Sequence, residues 1–306
     1  MKTHAEMSSH GVVIVNAGSG AGGHDVVAAR IGDVFKAQGI DAAVALVAGR
    51  DVARTARRAL EDGVSLVIAA GGDGTISTVA SVVTGTAATL GVLPLGTLNH
   101  FAKDLHIPLD LEGAARTIAG GHAIAIDVGE VNGRSFINNA SIGLYARLVW
   151  EREKERRGGH RKWVAVAVAA ARLWQHYRRV RVTVRTDDRH RVVRTPFVFV
   201  GNNEYQLDGL QLGGRTRLDG GSLQVLMAPG MTRMELVGVL LAAFTGRLHG
   251  EDHLDSLTAS EVSIEAWRRR IGVSLDGELW IARTPLSFRI RPGALRVLVP
   301  GPVATT

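Results

Sequence analysis

The chain contains no cysteine. That absence removes disulfides, Cys-based zinc sites and thiol nucleophiles, and it makes a reducing compartment compatible. No stretch of eighteen apolar residues occurs, and the opening MKTHAEMSSHG lacks the apolar core of a signal peptide. Neither a membrane span nor standard export is therefore expected. Internal repeats, low-complexity tracts and an HExxH pattern are also missing. What is present is 306 residues with 46% hydrophobic content, enough for a sizeable core and, from length, about two domains. The net charge of +7 is unevenly placed: residues 147–194 hold fifteen Lys/Arg against five Asp/Glu, an excess of +10 in one segment.

The most informative stretch is Ser65–Val83, SLVIAAGGDGTISTVASVV. The uncharged run Ser65–Ala70 suits a fully buried strand, and Ile76, Val79, Ala80 and Val83 recur at helical spacing. Between them, Gly71-Gly72-Asp73-Gly74-Thr75 removes Cβ atoms where the backbone turns sharply or approaches another group, and directs amide N–H groups to a helix start. A phosphate fits there. A bare anion would be repelled by Asp73, whereas Mg²⁺ riding on phosphates would welcome a carboxylate oxygen, so a metal nucleotide is the better expectation. The plain alternative is a tight turn with no ligand.

Around that stretch the pattern repeats. Val12–Asn16 reads as a strand, followed by a glycine loop, then a helix with Val27, Ile31, Val34 and Phe35 on one face and Gly39 as its stop. Asp41–Val47 is a second strand, Asp51 an N-cap for a helix to Glu61, and Thr89–Leu95 a fourth strand. Alternating strands and helices imply a doubly wound, Rossmann-like parallel sheet whose ligands bind beyond the carboxyl ends of the strands. From about Ile124 short strand-like runs take over: Ile124–Glu130, Arg134–Ala140, Val180–Arg185, Val192–Val200, Leu223–Met227, Ser260–Ala266, Ile271–Leu275 and Leu279–Ala282. Turn pairs such as Asn132-Gly133, Asp187-Asp188 and Asp276-Gly277 separate several of them, which argues an antiparallel domain. Helical patterns interrupt it at Leu144–Arg157, Lys162–Tyr177 and Met231–Leu248.

Five motifs stand in order: Asn16-Ala17-Gly18-Ser19-Gly20, Gly71–Thr75, Pro94-Leu95-Gly96-Thr97-Leu98-Asn99-His100-Phe101-Ala102, Asn139-Ala140-Ser141-Ile142-Gly143-Leu144 and Asp276-Gly277-Glu278. Together they resemble the diacylglycerol kinase catalytic-domain family of bacterial lipid kinases, which shares its nucleotide-site design with NAD kinases and phosphofructokinases. The resemblance implies an α/β domain over 1–125 with returning strands at 286–306, and a lipid-substrate β-sandwich over 126–285. It implies ATP and Mg²⁺, with nucleotide contacts from Asn16, Gly18, Ser19, Gly20, Gly71, Gly72, Asp73, Gly74, Thr75, Gly96, Thr97 and Asn99. Metal contacts are implied for Asp73 and, in a structural site, Asp219. Glu278 is implied as the base at the acceptor hydroxyl, with Asp276 beside it. Three departures stand out: Ala17 where proline is frequent, His100 where an aspartate commonly follows Asn99, and one aspartate in the loop Leu218–Leu223 where the family reads Asp-Asp-Gly.

Other clusters receive plainer readings. Asp276-Gly277 alone is a good type I′ hairpin turn. The group His249, Glu251, Asp252, His253 and Asp255 is read as a solvated loop after a helix end. Glu151, Glu153 and Glu155 alternate with cations as an exposed helix face does. The stretch with Trp163, Leu173, Trp174 and Tyr177 amid Arg161, Lys162, Arg172, Arg178, Arg179 and Arg181 suits an anionic membrane surface better than structural packing or nucleic acid. The expectation is a cytoplasmic, peripherally membrane-associated lipid kinase. An NAD kinase-like phosphotransferase and a catalytically silent nucleotide- or lipid-binding regulator are the alternatives. A homodimer is compatible, and nothing in the sequence specifies oligomeric state.

Overall fold

A computed structural model describes residues 11–18, 24–143, 177, 179–186, 189–206, 214–238 and 254–301. Two compact units divide the chain, Met1–Val128 with Pro292–Thr306 and Gly129–Arg291. The first is the doubly wound α/β unit, and the second is an antiparallel β-sandwich.

In the first unit β1 (Gly11–Asn16), β2 (Ala42–Val47), β3 (Leu66–Gly71) and β4 (Thr89–Pro94) lie parallel in the order β2-β1-β3-β4. Residues 12–15 and 67–71 are buried, as continuous Val/Ile/Ala runs require of strands covered on both faces. The end of β16 (Leu286–Leu298) adds a further parallel partner, Arg296 and Val297 pairing with Thr89 and Leu90 of β4. β5 (Ala123–Val131) pairs β16 in turn. Helix α1 (His24–Ala37) contacts α4 (Leu111–Ala119), and α2 (Val52–Glu61) contacts α3 (Asp73–Val83). α1 and α4 are also joined by Arg30–Glu112 at 2.7 Å, a hydrogen-bonded pair that lowers the Glu112 carboxyl from its ordinary value. Chain order reverses between β1 and β3, so the carboxyl ends of β1, β3 and β4 form the edge where such sheets place ligands.

Two local expectations shift here. Asp51 precedes α2 without accepting a cap hydrogen bond through its side chain, and its carboxylate pairs instead with Arg54 at 2.9 Å. The helix expected from Thr75 begins two residues earlier at Asp73, with Gly72 as N-cap, so the glycine-rich run is one residue of loop and the first turn of a helix.

The second unit holds β6 (Arg134–Phe136), β7 (Asn139–Gly143), β8 (Val180–Arg185), β9 (His190–Thr195), β10 (Phe197–Asn202), β11 (Leu223–Met227), β12 (Asp255–Ala259), β13 (Glu261–Ala266), β14 (Arg270–Leu275) and β15 (Glu278–Arg283). One sheet runs β12-β11-β10-β7-β14-β15. The other sets the first half of β16 against β13, β13 against β8 and β8 against β9. Their inner faces meet in one core that includes Ile142, Val184, Val198, Val225, Ile264, Val273 and Phe288. The run read as Arg134–Ala140 is two strands, because the N–H groups of Ile137, Asn138 and Asn139 turn away to a side-chain carboxylate. The run Val192–Val200 also divides, at Pro196, which has no N–H to continue a ladder. β12 lies ahead of the run read from Ser260. The expected helices 144–157 and 162–176, most of 231–248, and the turn Asp187-Asp188 lie outside the described residues, although a helix does start at 233–238. Among the described residues no helix is long and apolar enough to cross a membrane.

Gly91 tests the packing of the first unit. It pairs with Ile68, and a Cβ placed on it would lie 2.7 Å from Ile68 Cγ1. Gly91→Ala is expected to destabilise the protein by about 1–3 kcal/mol through overpacking, measured by urea unfolding; an unchanged midpoint would show that this layer yields freely.

Candidate active site

Three loops meet at the carboxyl edge of the first unit. Asn16 ends β1, and its Nδ2 donates to Thr75 Oγ1 at 2.9 Å while its Oδ1 accepts from Gly18 N at 2.9 Å. This ties the first loop to the start of α3. Thr75 is buried and folds back on β3, where a Cβ on Gly71 would sit 2.6 Å from Thr75 Oγ1. Gly72 and Gly96 touch backbone to backbone: a Cβ on Gly96 would lie 2.6 Å from Gly72 Cα. The glycines are there for close approach, since Gly72 has an ordinary φ of −84°.

The loop after β4 is closed by Asn99. Its backbone is left-handed, φ 51°, a conformation asparagine tolerates. Its Oδ1 accepts from Gly96 N at 3.1 Å and its Nδ2 donates to Gly96 O at 3.0 Å. Asn99 thus holds its own loop, leaving Thr97 and His100 exposed. Leu95 N donates to Gly71 O at 2.9 Å and locks this loop to β3. Asn16, Gly18, Gly71 to Thr75, Gly96, Thr97 and Asn99 are therefore gathered at one edge, whereas Ser19 and Gly20 lie outside the described residues.

One atom at this edge is out of balance. Asp73 Oδ1 is buried and accepts no hydrogen bond. A buried carboxylate oxygen without a partner costs about 1–3 kcal/mol or more, and it stands in the first turn of α3, where the helix dipole favours negative charge. The donor set, a hard oxygen beside a glycine-lined helix start, fits a hard divalent cation carried on phosphates.

The second unit carries the other carboxylates. Asp276 and Gly277, at φ 46° and 93°, form the turn between β14 and β15, and Glu278 opens β15 exposed to solvent. The Asp276 carboxylate accepts from the backbone N–H of Ile137 (2.9 Å), Asn138 (2.8 Å) and Asn139 (3.0 Å). It anchors the turn that presents Glu278. Behind it lies Arg215, which the sequence reading missed. Only 6% exposed, it donates from Nη1 to Ile137 O at 2.6 Å and Asn202 O at 3.2 Å, and from Nη2 to Asn138 Oδ1 at 3.0 Å. A lone arginine in RTRLD has no periodicity to announce this.

The comparisons with known proteins follow these two halves. The model "Diacylglycerol kinase catalytic domain" matches residues 10–131, and "YegS C-terminal NAD kinase beta sandwich-like domain" matches 141–299, just over half of the chain. The chain belongs to the diacylglycerol kinase catalytic-domain family. Among curated relatives, the diacylglycerol kinase of Staphylococcus epidermidis RP62A is 43% identical over 106 residues, and that of Staphylococcus aureus JH9 is 42% identical over 106 residues. Each match covers 33% of this chain and 33% of the relative, so the chain spans about one third of the length of the curated relatives it matches. A crystal structure of a diacylglycerol kinase from Bacillus anthracis str. Sterne is 20% identical with a TM-score of 0.69, covering 96% of this chain and 98% of that one. A second structure from the same organism is 22% identical, with a TM-score of 0.75 and coverage of 95% and 97%. These share the fold.

Within the diacylglycerol kinase family fold, the loop bearing Asp219 does not fit a structural divalent cation. Its one carboxylate is exposed and pairs with Arg217 Nε at 3.0 Å, and the side-chain oxygen of Asn203 is taken by Gly220 N at 2.8 Å. Two guanidinium groups, Arg215 and Arg217, belong to this segment, and a divalent cation needs several oxygen ligands and no cationic neighbours. Among the described residues no group of three His, Asp or Glu is poised for a metal.

The anchor is directly testable. Asp276→Ala leaves three backbone N–H groups of 137–139 without their acceptor, and should destabilise the protein by on the order of 2–4 kcal/mol, read from chemical unfolding. A loss below about 0.5 kcal/mol, the usual range of a surface change, would mean that the segment finds other partners.

Proposed function

We propose that the chain is an ATP-dependent lipid kinase that transfers the γ-phosphate to a hydroxyl of diacylglycerol or a similar long-chain lipid alcohol. The observation that carries this reading is the buried, unpartnered Asp73 Oδ1 beside the Gly72–Gly96 contact. The names of the curated relatives support it. In this reading ATP with Mg²⁺ supplies the phosphoryl group and neutralises its charge. Gly71 to Thr75 would wrap the phosphates, Asp73 would hold the metal, and Asn16 and Asn99 would keep the surrounding loops in place. Glu278 would orient the acceptor hydroxyl and take its proton, while Asp276 fixes the turn on which Glu278 stands. Phosphoryl transfer asks a protein mainly for such positioning and charge neutralisation.

The partner in this reading is a lipid at an anionic membrane surface, reached from the cytoplasm. Of the basic residues first read as membrane-directed, Arg161, Lys162, Arg172 and Arg178 lie outside the described residues. Arg179 is engaged with the carbonyls of Gly230 and Met231 at 3.0 and 3.1 Å. An NAD kinase-like activity is the second reading, favoured by the description of the sandwich model; the loop Pro94–Ala102 argues against it, lacking the Asn-x-Gly arrangement of those enzymes.

Incubation with labelled ATP and a panel of diacylglycerol, other lipids, NAD and sugar phosphates decides among these. Label on diacylglycerol or a related lipid is expected, label on NAD selects the second reading, and no label on any acceptor selects a silent binder. Glu278→Gln keeps size and most hydrogen bonding but cannot accept a proton, so transfer should fall by roughly 10²–10⁴ with ATP affinity unchanged. Unchanged transfer would remove Glu278 from the mechanism.

A further inference from the structure

Among its described residues, the second unit exposes a basic end at which no carboxylate is paired. Trp267 is 88% exposed and begins the turn Trp267-Arg268-Arg269-Arg270 between β13 and β14, all four residues lying in solvent. The register brings more arginine to it. Ala266 pairs with Val182, so Trp267 stands beside Arg181 on the neighbouring strand, and Arg181 lies directly opposite Arg194 of β9. Val182, Val193 and Ile264 point into the core, which turns Arg181, Arg194 and Trp267 to the outer face together. On the other strand leaving the turn, Arg270 lies opposite Arg283, and Thr284 N donates to Arg269 O at 3.1 Å.

Directly opposed like charges destabilise a sheet. Here two Arg–Arg pairs occur at one end of the sandwich, and among the described residues no carboxylate pairs with Arg181, Arg194, Arg268, Arg269, Arg270 or Arg283. Further along the same strands the arginines are neutralised, Arg185 by Glu265 at 3.4 Å and Arg191 by Asp255 at 3.0 Å. The repulsion is thus confined to the end that also shows an exposed indole. Folding alone gains nothing from either feature; an external anionic surface with an apolar layer accommodates both, because arginines meet its charge while tryptophan settles at the boundary between headgroup and acyl chain.

We propose that this end of the sandwich, centred on Trp267, docks the protein on an anionic lipid bilayer. The choice of a bilayer over nucleic acid rests on the lipid-kinase reading; the surface itself does not. Docking here adds membrane affinity from residues outside the 161–179 segment.

The test is co-sedimentation of the full chain at physiological salt with vesicles of phosphatidylcholine alone and with about 30 mol% phosphatidylserine. Wild type should bind the anionic vesicles and leave the neutral ones. The triple variant R268Q/R269Q/R270Q should lose about fivefold per charge, on the order of 100-fold in partition, and Trp267→Ala about tenfold. Arg181→Gln relieves its pair with Arg194, so it should lower vesicle binding while leaving the melting temperature equal or higher. Phosphoryl transfer to a short-chain diacylglycerol in neutral detergent micelles should be unaffected by all of these changes. That arm separates the two ideas: inactivity of the wild type on micelles removes the kinase reading, while vesicle binding still decides the docking. Equal sedimentation of wild type and triple variant, or absence of wild-type binding, overturns the proposal. So does binding to duplex DNA at the same salt that is lost in the triple variant while vesicle binding is kept.

Discussion

Backbone contact between Gly72 and Gly96 is the constraint on which the carboxyl edge of the parallel sheet depends. Two loops leaving adjacent parallel strands can approach this closely only where neither carries a Cβ. The contact brings the loop after β4 against the first turn of α3, and hydrogen bonds from Leu95 to Gly71 and from Asn16 to Thr75 hold the neighbouring segments in register with it. Asp73 consequently sits with one carboxylate oxygen buried and unmatched. Buried polar atoms without partners are uncommon in folded proteins, and one at the ligand edge of a doubly wound sheet has an economical explanation in a cation that arrives with the substrate.

The second unit solves a different problem with the same means. A hairpin tip is ordinarily among the looser parts of a sheet, yet the Asp276 turn is tied by three hydrogen bonds to backbone far away in sequence. Charge-assisted bonds of this kind are roughly twice as strong as neutral ones. Arg215 reinforces the acceptor segment from its other side through the carbonyl of Ile137 and the side chain of Asn138. The guanidinium supplies this support with fixed donors.

Much of this was legible in the residues. The parallel sheet followed from short uncharged runs alternating with amphipathic helices, and the glycine-rich motif from three glycines in four positions. Elements failed to match where a side chain overrode the local pattern. Arg134–Ala140 looks continuous because it holds no glycine or proline to mark a break, and only the Asp276 carboxylate, more than a hundred residues downstream, divides it. Val192–Val200 concealed its break at Pro196 within a β-branched run. Asp51 has the right identity and place for a cap but is drawn to Arg54. Arg215 was invisible because nothing in its neighbourhood distinguishes a buried arginine from a solvated one; its partners come from two other segments, 137–138 and 202–205.

The central claim is that Asp73 exists to receive a metal-bound nucleotide, and calorimetric titration of ATP with excess Mg²⁺ and again with EDTA tests it most directly. Wild type should bind the magnesium complex at least about tenfold more tightly than metal-free ATP, a difference of about 1.4 kcal/mol. In Asp73→Asn that preference should vanish, with metal-free ATP bound as well as or better than by wild type, because a like charge beside the phosphates has been removed. A variant that keeps the full magnesium preference would contradict the account, and Asp73 would then be a carboxylate buried for reasons of helix structure alone.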